Sequence, residues 1–282
     1  MKRPILSFLI AAAVAVTATT AWAEAPRRVV SIGGAVTEII YALGAEKLIA
    51  GCDTTSYFPK AAEKLPKIGY MRALSAEGIL SLRPDLVLMT DEAGPPAVIE
   101  QLRAAGLNMI SVAPGRTLDG VRENIRTVAV ALGREAQAAD ILTALARDEA
   151  ALVAAVDAME SHPKVMFILQ HGGGAPMVAG TGTAADSIIR LAGGKNAVTG
   201  YRGYKPLTPE SAVVLQPDAM LITDQGLKQA GGKDGLMAAP GVALTPAAQA
   251  GRIHAMDSLL LLGFGPRTAT AALDLNRMLR AE

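Results

Sequence analysis

Residues 75–92, SAEGILSLRPDLVLMTDE, align without gaps with residues 208–225, TPESAVVLQPDAMLITDQ. In each copy a short helical pattern ends at a Pro-Asp pair, and an apolar run follows. Proline ends a helix, and the aspartate after it precedes a buried strand. Near-continuous apolar strands that alternate with helices are typical of parallel sheets in α/β proteins. We therefore predict one such unit in each half of the chain.

The similarity between the two halves extends beyond this unit. IGYMRAL at 68–74 matches RGYKPL at 202–207 with one residue fewer, and residues 37–51 resemble residues 186–200. Any helix, Pro-Asp turn and buried strand would produce part of the match, but no secondary-structure rule requires the shared Gly-Tyr pair. Internal similarity at this separation indicates two related lobes.

The segment 118–161 contains no strand pattern and is rich in Ala, Leu, Glu and Arg, with Gly133 between two helical stretches. The second stretch, 135–160, predicts a helix of roughly 25 residues, which spans close to ~40 Å at 1.5 Å per residue. We predict an α/β fold with two Rossmann-like lobes, a single long linking helix and a ligand cleft between the lobes. The predicted parts are an N-terminal lobe (24–133), the linking helix (134–161) and a C-terminal lobe (162–282).

The first 23 residues have the pattern of a secretory signal peptide. Lys2 and Arg3 precede an apolar run, and Ala21-Trp22-Ala23 forms a small-x-small cleavage site. The alternative, a membrane anchor, needs a run of ~18 to 20 apolar residues, and this run is shorter. No cysteine stands at the cleavage site to carry a lipid. We expect residues 1–23 to be removed and the mature protein to be soluble in the periplasm.

Composition excludes several classes of protein. The chain has 27 Lys and Arg against 26 Asp and Glu, a net charge of +1, so no basic stripe for nucleic acid is expected. Cys52 is the one cysteine, which excludes an intramolecular disulfide and a cysteine-rich metal site, and we expect it to be buried. We predict a monomer.

The sequence lacks the common catalytic motifs. No GxSxG, HExxH or P-loop is present. Residues 180–185, GTGTAA, fit a dinucleotide-binding pattern, but no acidic residue ends a strand about 20 positions later, as ribose binding requires. This glycine-rich segment is better explained as the mouth of a ligand cleft, and we expect a binding protein rather than an enzyme.

Tyr70 and His171 are the candidate ligand-binding residues. Arg72 lies two positions after Tyr70, and a guanidinium and a ferric ion both favour the phenolate form of tyrosine. Tyrosinate is also a known axial ligand of haem iron. The alternative is that the Tyr70 ring only packs in its loop. His171 precedes three glycines that would let the backbone approach a flat ligand, although lone histidines are more often structural. His162 and His254 are expected to be structural.

With these features assembled, the mature chain resembles a periplasmic haem-binding protein of bacterial ABC-type haem importers. Gly69-Tyr70-Met71-Arg72 and the segment 263–267, GFGPR, favour haem within a wider class that also binds cobalamin and siderophores. The segments that carry the resemblance are VSIGGAVTEIIYALGA (30–45), IGYMRALSAEGILSLRPDLVL (68–88), VAGTGTAADSII (178–189) and LLLGFGPRT (260–268).

The resemblance implies a role for each candidate. Tyr70 would be the axial ligand of ferric haem and Arg72 would stabilise its phenolate. His171 would supply a second ligand, to the same iron or to a second, stacked haem. Whether Tyr201 or Tyr204 takes the place of Tyr70 stays open. The residues expected to bind propionates or shield the macrocycle are Arg202, Tyr204 and Lys205.

Glu77 and Glu210 occupy equivalent positions in the two repeats. The resemblance implies that they dock the protein to an inner-membrane ABC permease. A carboxylate in the first turn of a helix is also favoured by the helix dipole, and both roles are compatible. The resemblance thus implies capture of one or two haems, obtained indirectly from an outer-membrane receptor, and delivery to the permease and its ATPase.

Other functions remain as alternatives. The same scaffold would suit a ferric siderophore or cobalamin. A secreted α/β enzyme that uses the glycine-rich loops for a phosphate or nucleotide is a weaker alternative. A divalent-metal carrier is weaker still, since three scattered histidines and one cysteine supply no obvious metal cage. A continuous linking helix has no loop to absorb large dihedral changes, so we expect only small movements between the lobes.

Overall fold

The computed structural model describes residues 25–170 and 174–280, so the predicted signal peptide lies outside the described residues. The chain forms two α/β lobes. The N-terminal half contains the strands β1 (Val29–Ile32), β2 (Ile49–Cys52), β3 (Gly69–Tyr70), β4 (Ala73–Leu74), β5 (Leu86–Thr90) and β6 (Met109–Val112), and the helices α1 (Gly34–Ala42), α2 (Ala76–Ser81), α3 (Pro96–Ala104), α4 (Leu118–Leu132) and α5 (Glu135–Asp157).

The N-terminal sheet has the order β2-β1-β5-β6, and every pairing is parallel. All four residues of β1 are buried, as are the first four of β5. Burial on both faces explains the near-continuous apolar runs in these strands. The predicted parallel sheet is therefore confirmed in this lobe.

The long helix α5 has 23 residues and ends at Asp157 rather than at the predicted residue 160. The preceding helix α4 ends at Gly133, whose φ of 61° is the left-handed conformation that glycine adopts at a helix C-terminus. The α5 helix packs against both α4 and the C-terminal helix of the chain, Thr268–Arg280. It is therefore a linking helix supported by both lobes.

The C-terminal half contains the strands β7 (Lys164–Leu169), β8 (Met177–Ala179), β9 (Lys195–Asn196), β10 (Tyr204–Pro206), β11 (Ala219–Thr223) and β12 (Ile253–Met256), and the helices α6 (Ala184–Leu191), α7 (Pro209–Leu215), α8 (Asp224–Gln229), α9 (Gly232–Met237), α10 (Pro246–Gln249), α11 (Ser258–Leu262) and α12 (Thr268–Arg280). The short helices α8 to α10 fill a stretch to which the sequence pattern assigns no element.

Four strands of this lobe, β9, β7, β11 and β12, pair in parallel in the same order as β2, β1, β5 and β6. The repeat in the sequence is thus also a repeat in topology. The sheet departs from the expected parallel pattern because β8 pairs antiparallel with β7, and β10 pairs antiparallel with β8. This antiparallel extension carries the second Gly-Tyr segment.

The lobes are joined by a continuous core and by polar contacts. One cluster of buried apolar side chains includes residues of β1, α4, α5, β7 and α12. Arg267 binds the buried Glu38 through Nε and Nη2, at 2.8 and 2.9 Å, and its guanidinium lies 3.4 Å from the centre of the Phe58 ring. Such a bidentate pair resists relative movement of the lobes. Within residues 25–170 and 174–280, no helix has the length and apolar character needed to cross a bilayer.

Candidate functional site

Tyr70 lies on a small hairpin, β3–β4, where the sequence suggests only a loop. Backbone hydrogen bonds tie this hairpin to the segment after β5: Leu74 N–H donates to Gly94 O, and Gly94 N–H donates to Met71 O. Gly69 has a φ of 97°, which favours glycine at this position. Tyr70 is 44% exposed, so its side chain is accessible to a ligand.

The Tyr70 hydroxyl group is held by Arg72. Nη1 of Arg72 donates a hydrogen bond to the phenolic oxygen at 2.8 Å. Nη2 of the same guanidinium pairs with Glu92, which follows β5. Because Arg72 is bound at both ends, its guanidinium is directed toward the phenolic oxygen.

Glu92 also binds a second arginine, Arg116, at 2.7 Å from its other carboxylate oxygen. The remaining amino group of Arg116, Nη1, donates to the carbonyl oxygen of Gly182 in the C-terminal lobe at 2.6 Å. The chain Tyr70–Arg72–Glu92–Arg116 therefore reaches from the exposed phenol across the cleft to the opposite lobe. We call these four side chains the tyrosine–arginine network.

The loop that carries Arg116 is fixed against α4. Gly115 lies so close to Asn124 and Gly120 that an added Cβ would be 2.8 Å from the Asn124 amide nitrogen. Asn124 in turn donates to Ala113 O at 2.9 Å. Arg116 therefore starts from a well-defined backbone position, directly beyond the carboxyl end of β6, where open α/β sheets place their ligands.

The C-terminal lobe presents Tyr204, Arg202 and Lys205 from the β10 region. Burial raises the pKa of Tyr204, while the charge of the nearby Arg116 acts in the opposite direction. The guanidinium of Arg202 lies against Gly182, with Nη2 3.0 Å from the position of an added Cβ. Lys205 places its ammonium group 4.7 Å from the centre of the Tyr201 ring. Arg202 and Tyr204 thus lie close to the network, whereas Lys205 packs on Tyr201.

Glu77 and Glu210 are exposed in the first turns of α2 and α7. The side chains that cap these helices are Ser75, which accepts from Gly78 N–H, and Thr208, which forms a capping box with Ser211. Neither glutamate forms an ion pair with a residue in the described part of the chain. Both carboxylates are therefore available to solvent.

His162, His254 and Cys52 are explained by their surroundings. His171 lies outside the described residues. His162 bonds Gly193 O at 2.7 Å, and burial lowers the pKa of His254 on β12. Cys52 is buried, as expected. In the described ranges, no cluster of three or more His, Cys, Asp or Glu side chains is arranged to hold a metal ion.

Sequence reasoning missed Glu92 and Arg116. The signal that could have found them is their position, since both follow apolar strands of the N-terminal sheet and carry charge where neutral turn residues would suffice. Together the site offers one exposed phenol and three guanidiniums, with a single carboxylate between two of them. This arrangement suits a large ligand that carries an electron-deficient metal and acidic groups.

Known proteins share this fold. A family model for periplasmic binding proteins matches residues 29–260. The apo form of the periplasmic haem-binding protein RhuT from Roseiflexus sp. RS-1 superposes with a TM-score of 0.86 at 42% identity, over 90% of this chain and 97% of that one. The periplasmic haem-binding protein BhuT, in complex with two haems, gives a TM-score of 0.85 at 46% identity, over 89% and 97% of the two chains.

Relatives found by sequence carry other names. An uncharacterised ABC transporter substrate-binding lipoprotein of Bacillus subtilis (strain 168) is 28% identical over 202 residues, 71% of this chain and 64% of that protein. The vitamin B12-binding protein of Vibrio vulnificus (strain YJ016) is 28% identical over 248 residues, 86% of each chain. This chain therefore spans just under two thirds of the first relative and most of the second. The comparisons agree on the scaffold and differ in the ligand.

Proposed function

Because the chain belongs to the periplasmic binding protein family, we propose that it captures haem in the periplasm and delivers it to an inner-membrane ABC permease. The observation that carries this proposal is the exposed phenol of Tyr70, held at 2.8 Å by a guanidinium. Phenolate is a hard anionic oxygen ligand suited to ferric iron, and tyrosinate ligates haem iron in other proteins. The similarity to haem-binding structures at 42% and 46% identity supports the same ligand.

In this proposal Tyr70 binds the ferric iron and Arg72 stabilises the phenolate. The hydrogen bond from Arg72 uses the phenolic oxygen as an acceptor, so it persists and becomes charge-assisted on both sides when the hydroxyl proton leaves. The phenolic proton goes to solvent, because the side chain is partly exposed. Glu92 holds Arg72 in the orientation that this requires.

The opposite lobe completes the proposed pocket. Arg202, Tyr204 and Lys205 are proposed to bind haem propionates or to shield the macrocycle. His171 is proposed as a ligand to the same iron or to a second haem. Two haems bound to the similar BhuT structure make the second arrangement reasonable for this scaffold. The protein itself carries out no chemical conversion in this proposal.

Glu77 and Glu210 are proposed to dock the two lobes to the permease. They occupy equivalent helices, α2 and α7, and both are exposed. A docking surface with one anionic contact on each lobe would recognise basic side chains on the permease. Delivery to an ABC permease and its ATPase agrees with the name of the Bacillus subtilis relative.

The second candidate ligand is cobalamin, favoured by the vitamin B12-binding relative that covers 86% of this chain. A ferric siderophore on the same scaffold is a further alternative. Haem differs from both because its iron can bind a phenolate directly and its porphyrin gives an intense Soret band.

The test is a titration of the mature protein with ferric haem, with cyanocobalamin and with a ferric siderophore, followed by visible absorbance. We expect saturation with haem and a tyrosinate-type charge-transfer band that Tyr70→Phe abolishes. Tyr201→Phe is the matched control, because the Tyr201 hydroxyl donates to Val178 O within the C-terminal sheet. Saturable binding of cyanocobalamin or of the siderophore without a haem spectrum would reject the haem proposal and leave the scaffold assignment intact.

A further inference from the structure

We propose that the C-terminal lobe contacts the permease through an apolar anchor, formed by Val213, Val214 and Leu244 beside Glu210, whereas the N-terminal lobe docks mainly through the charge of Glu77. The inference rests on the proposed delivery to an ABC permease and specifies how the two lobes differ in that contact. We call the three apolar side chains the valine–leucine patch.

The repeat makes the helices α2 and α7 directly comparable. The two glutamates align, and so do residues 80–81 with residues 213–214. Just beyond each helix stands a residue with a positive φ, 47° at Arg83 and 43° at Gln216, directly before the Pro-Asp pair. Side chains three and four positions apart lie on the same face of a helix. Each glutamate therefore has two equivalent neighbours on its own helix face.

These neighbours differ in polarity and in exposure. In α7 they are Val213 and Val214, which are 38% and 79% exposed. In α2 they are Leu80, which is 37% exposed, and Ser81, whose hydroxyl group donates to Gly78 O at 2.8 Å. The difference is therefore concentrated at one position, where the C-terminal lobe exposes a valine and the N-terminal lobe has a serine.

A second element extends the apolar surface beside α7. The short 3-10 turn Val242–Leu244 packs against this helix, and an added Cβ on the preceding Gly241 would be 2.6 Å from Pro209 O. Leu244 is 66% exposed. Among the residues that the structure describes, Val214 and Leu244 are the two most exposed large apolar side chains. Both lie on or against the helix proposed to dock the C-terminal lobe.

The chemistry of the surface indicates its partner. Single exposed apolar side chains are common, but an apolar centre with charge at its edge is typical of protein interfaces. The exposed carboxylate of Glu210 stands on the same helix, so a protein surface with apolar side chains around a basic one would complement both. Because the patch is continuous with the surface proposed to contact the permease, we assign it to that partner.

Salt separates the two kinds of contact. Ions screen the attraction between an exposed carboxylate and a basic side chain, so the contribution of Glu77 should fall as the salt concentration rises. Burial of apolar surface is not screened in this way. The anchor therefore predicts a salt-resistant contact in the C-terminal lobe and a salt-sensitive contact in the N-terminal lobe.

The experiment measures binding of the haem-loaded protein to the ABC permease with its ATPase, reconstituted in nanodiscs, at about 0.05 M and about 0.5 M NaCl. We expect Val214→Ser and Leu244→Ser each to weaken binding about fivefold at both salt concentrations. Glu77→Gln should weaken it about fivefold at low salt and less than about twofold at high salt. The controls are Val130→Ser, which replaces a 65% exposed valine on α4, and Ser81→Ala; both should bind like wild type.

A loss in Val214→Ser that disappears at high salt would overturn the proposal, as would equal losses in Val214→Ser and Val130→Ser. Binding of wild type to nanodiscs without the permease, or a dimer of the protein that Val214→Ser abolishes, would assign the patch to lipid or to a second copy and would also overturn it. If wild type binds haem but not the permease, the proposed delivery fails; if wild type and Val214→Ser bind the permease equally, only the anchor fails. Thermal unfolding of each variant checks that the fold is retained.

Discussion

Residues 68–74 and 202–207 carry related sequences, IGYMRAL and RGYKPL, in equivalent parts of the two lobes. In the N-terminal lobe the chain folds back on itself as the β3–β4 hairpin. In the C-terminal lobe it continues as β10, which pairs with β8. The glycine before each tyrosine has a positive φ, 97° at Gly69 and 79° at Gly203, so the backbone enters both segments in a similar way.

The difference arises after the tyrosine. Met71-Arg72-Ala73 gives the first segment enough residues to turn, and Arg72 then reaches the tyrosine hydroxyl. In the second segment only Lys205-Pro206 stand at this place, one residue fewer, and no arginine follows the tyrosine. The Gly-Tyr pair therefore determines how the chain enters the cleft, and the residues that follow determine whether the phenol is exposed beside a cation or packed beside the core.

The sharpest test of this comparison replaces each tyrosine by phenylalanine. Tyr70→Phe should weaken binding of ferric haem at least ~100-fold, or ~2.7 kcal/mol, because the iron loses its proposed ligand. Tyr204→Phe should retain the charge-transfer band and weaken haem binding less than about threefold, because Tyr204 is partly buried against the core. The measurement is absorbance titration at neutral pH. A similar loss in both variants would mean that the two loops do not differ in function.

The repeat explains how much of the fold and of the candidate site could be predicted from the sequence. The apolar runs of β1, β5, β7 and β11 and the pattern of α5 depend on local sequence, and the structure has all of these elements. The tyrosine–arginine network was only half predictable: Tyr70 and Arg72 are neighbours in sequence, whereas Glu92 and Arg116 reach them only through the arrangement of β5 and β6. The antiparallel pairing of β10 with β8 also depends on tertiary structure, since a three-residue strand has little pattern of its own.

A second test compares the residues that follow the tyrosines. Arg72→Gln should weaken haem binding about tenfold, because an amide keeps a hydrogen-bond donor but loses the charge that stabilises a phenolate. Lys205→Gln should weaken haem binding only about two- to threefold, as loss of one exposed contact to the ligand would, because the Lys205 ammonium group also lies over the Tyr201 ring. Both are measured by competition with a haem-binding reference protein. A loss in Lys205→Gln equal to that in Arg72→Gln would remove this contrast between the two segments.

The free energy of unfolding should change in the opposite order, more in Tyr204→Phe than in Tyr70→Phe. Tyr204→Phe alters a side chain that is partly buried against the core and should lower the free energy of unfolding by ~1 kcal/mol. Tyr70→Phe removes a hydroxyl group from an exposed ring and should change it by less than ~0.5 kcal/mol. Urea unfolding of the ligand-free protein, monitored by circular dichroism, measures both. A larger loss in Tyr70→Phe would show that the β3–β4 hairpin depends on the contact between Tyr70 and Arg72.

The smallest expected effect is on the pH dependence of stability. Burial raises the pKa of Tyr204, so the folded protein favours the neutral phenol, whereas tyrosine in the unfolded chain ionises near pH 10. Above that pH the unfolded state binds fewer protons than the folded state, and stability falls as pH rises. The difference in the free energy of unfolding between wild type and Tyr204→Phe should therefore become smaller between pH 8 and pH 11.

Tyr41, Tyr57 and Tyr201 also have pKa values raised by burial. Their contributions are common to wild type and Tyr204→Phe and cancel in the difference. Urea unfolding of the two proteins at several pH values gives that difference directly, and its change with pH should be smaller than the ~1 kcal/mol expected for the substitution itself. A difference that stays constant or widens would place the Tyr204 hydroxyl in a solvated environment. The second loop would then resemble the first in solvation as well as in sequence.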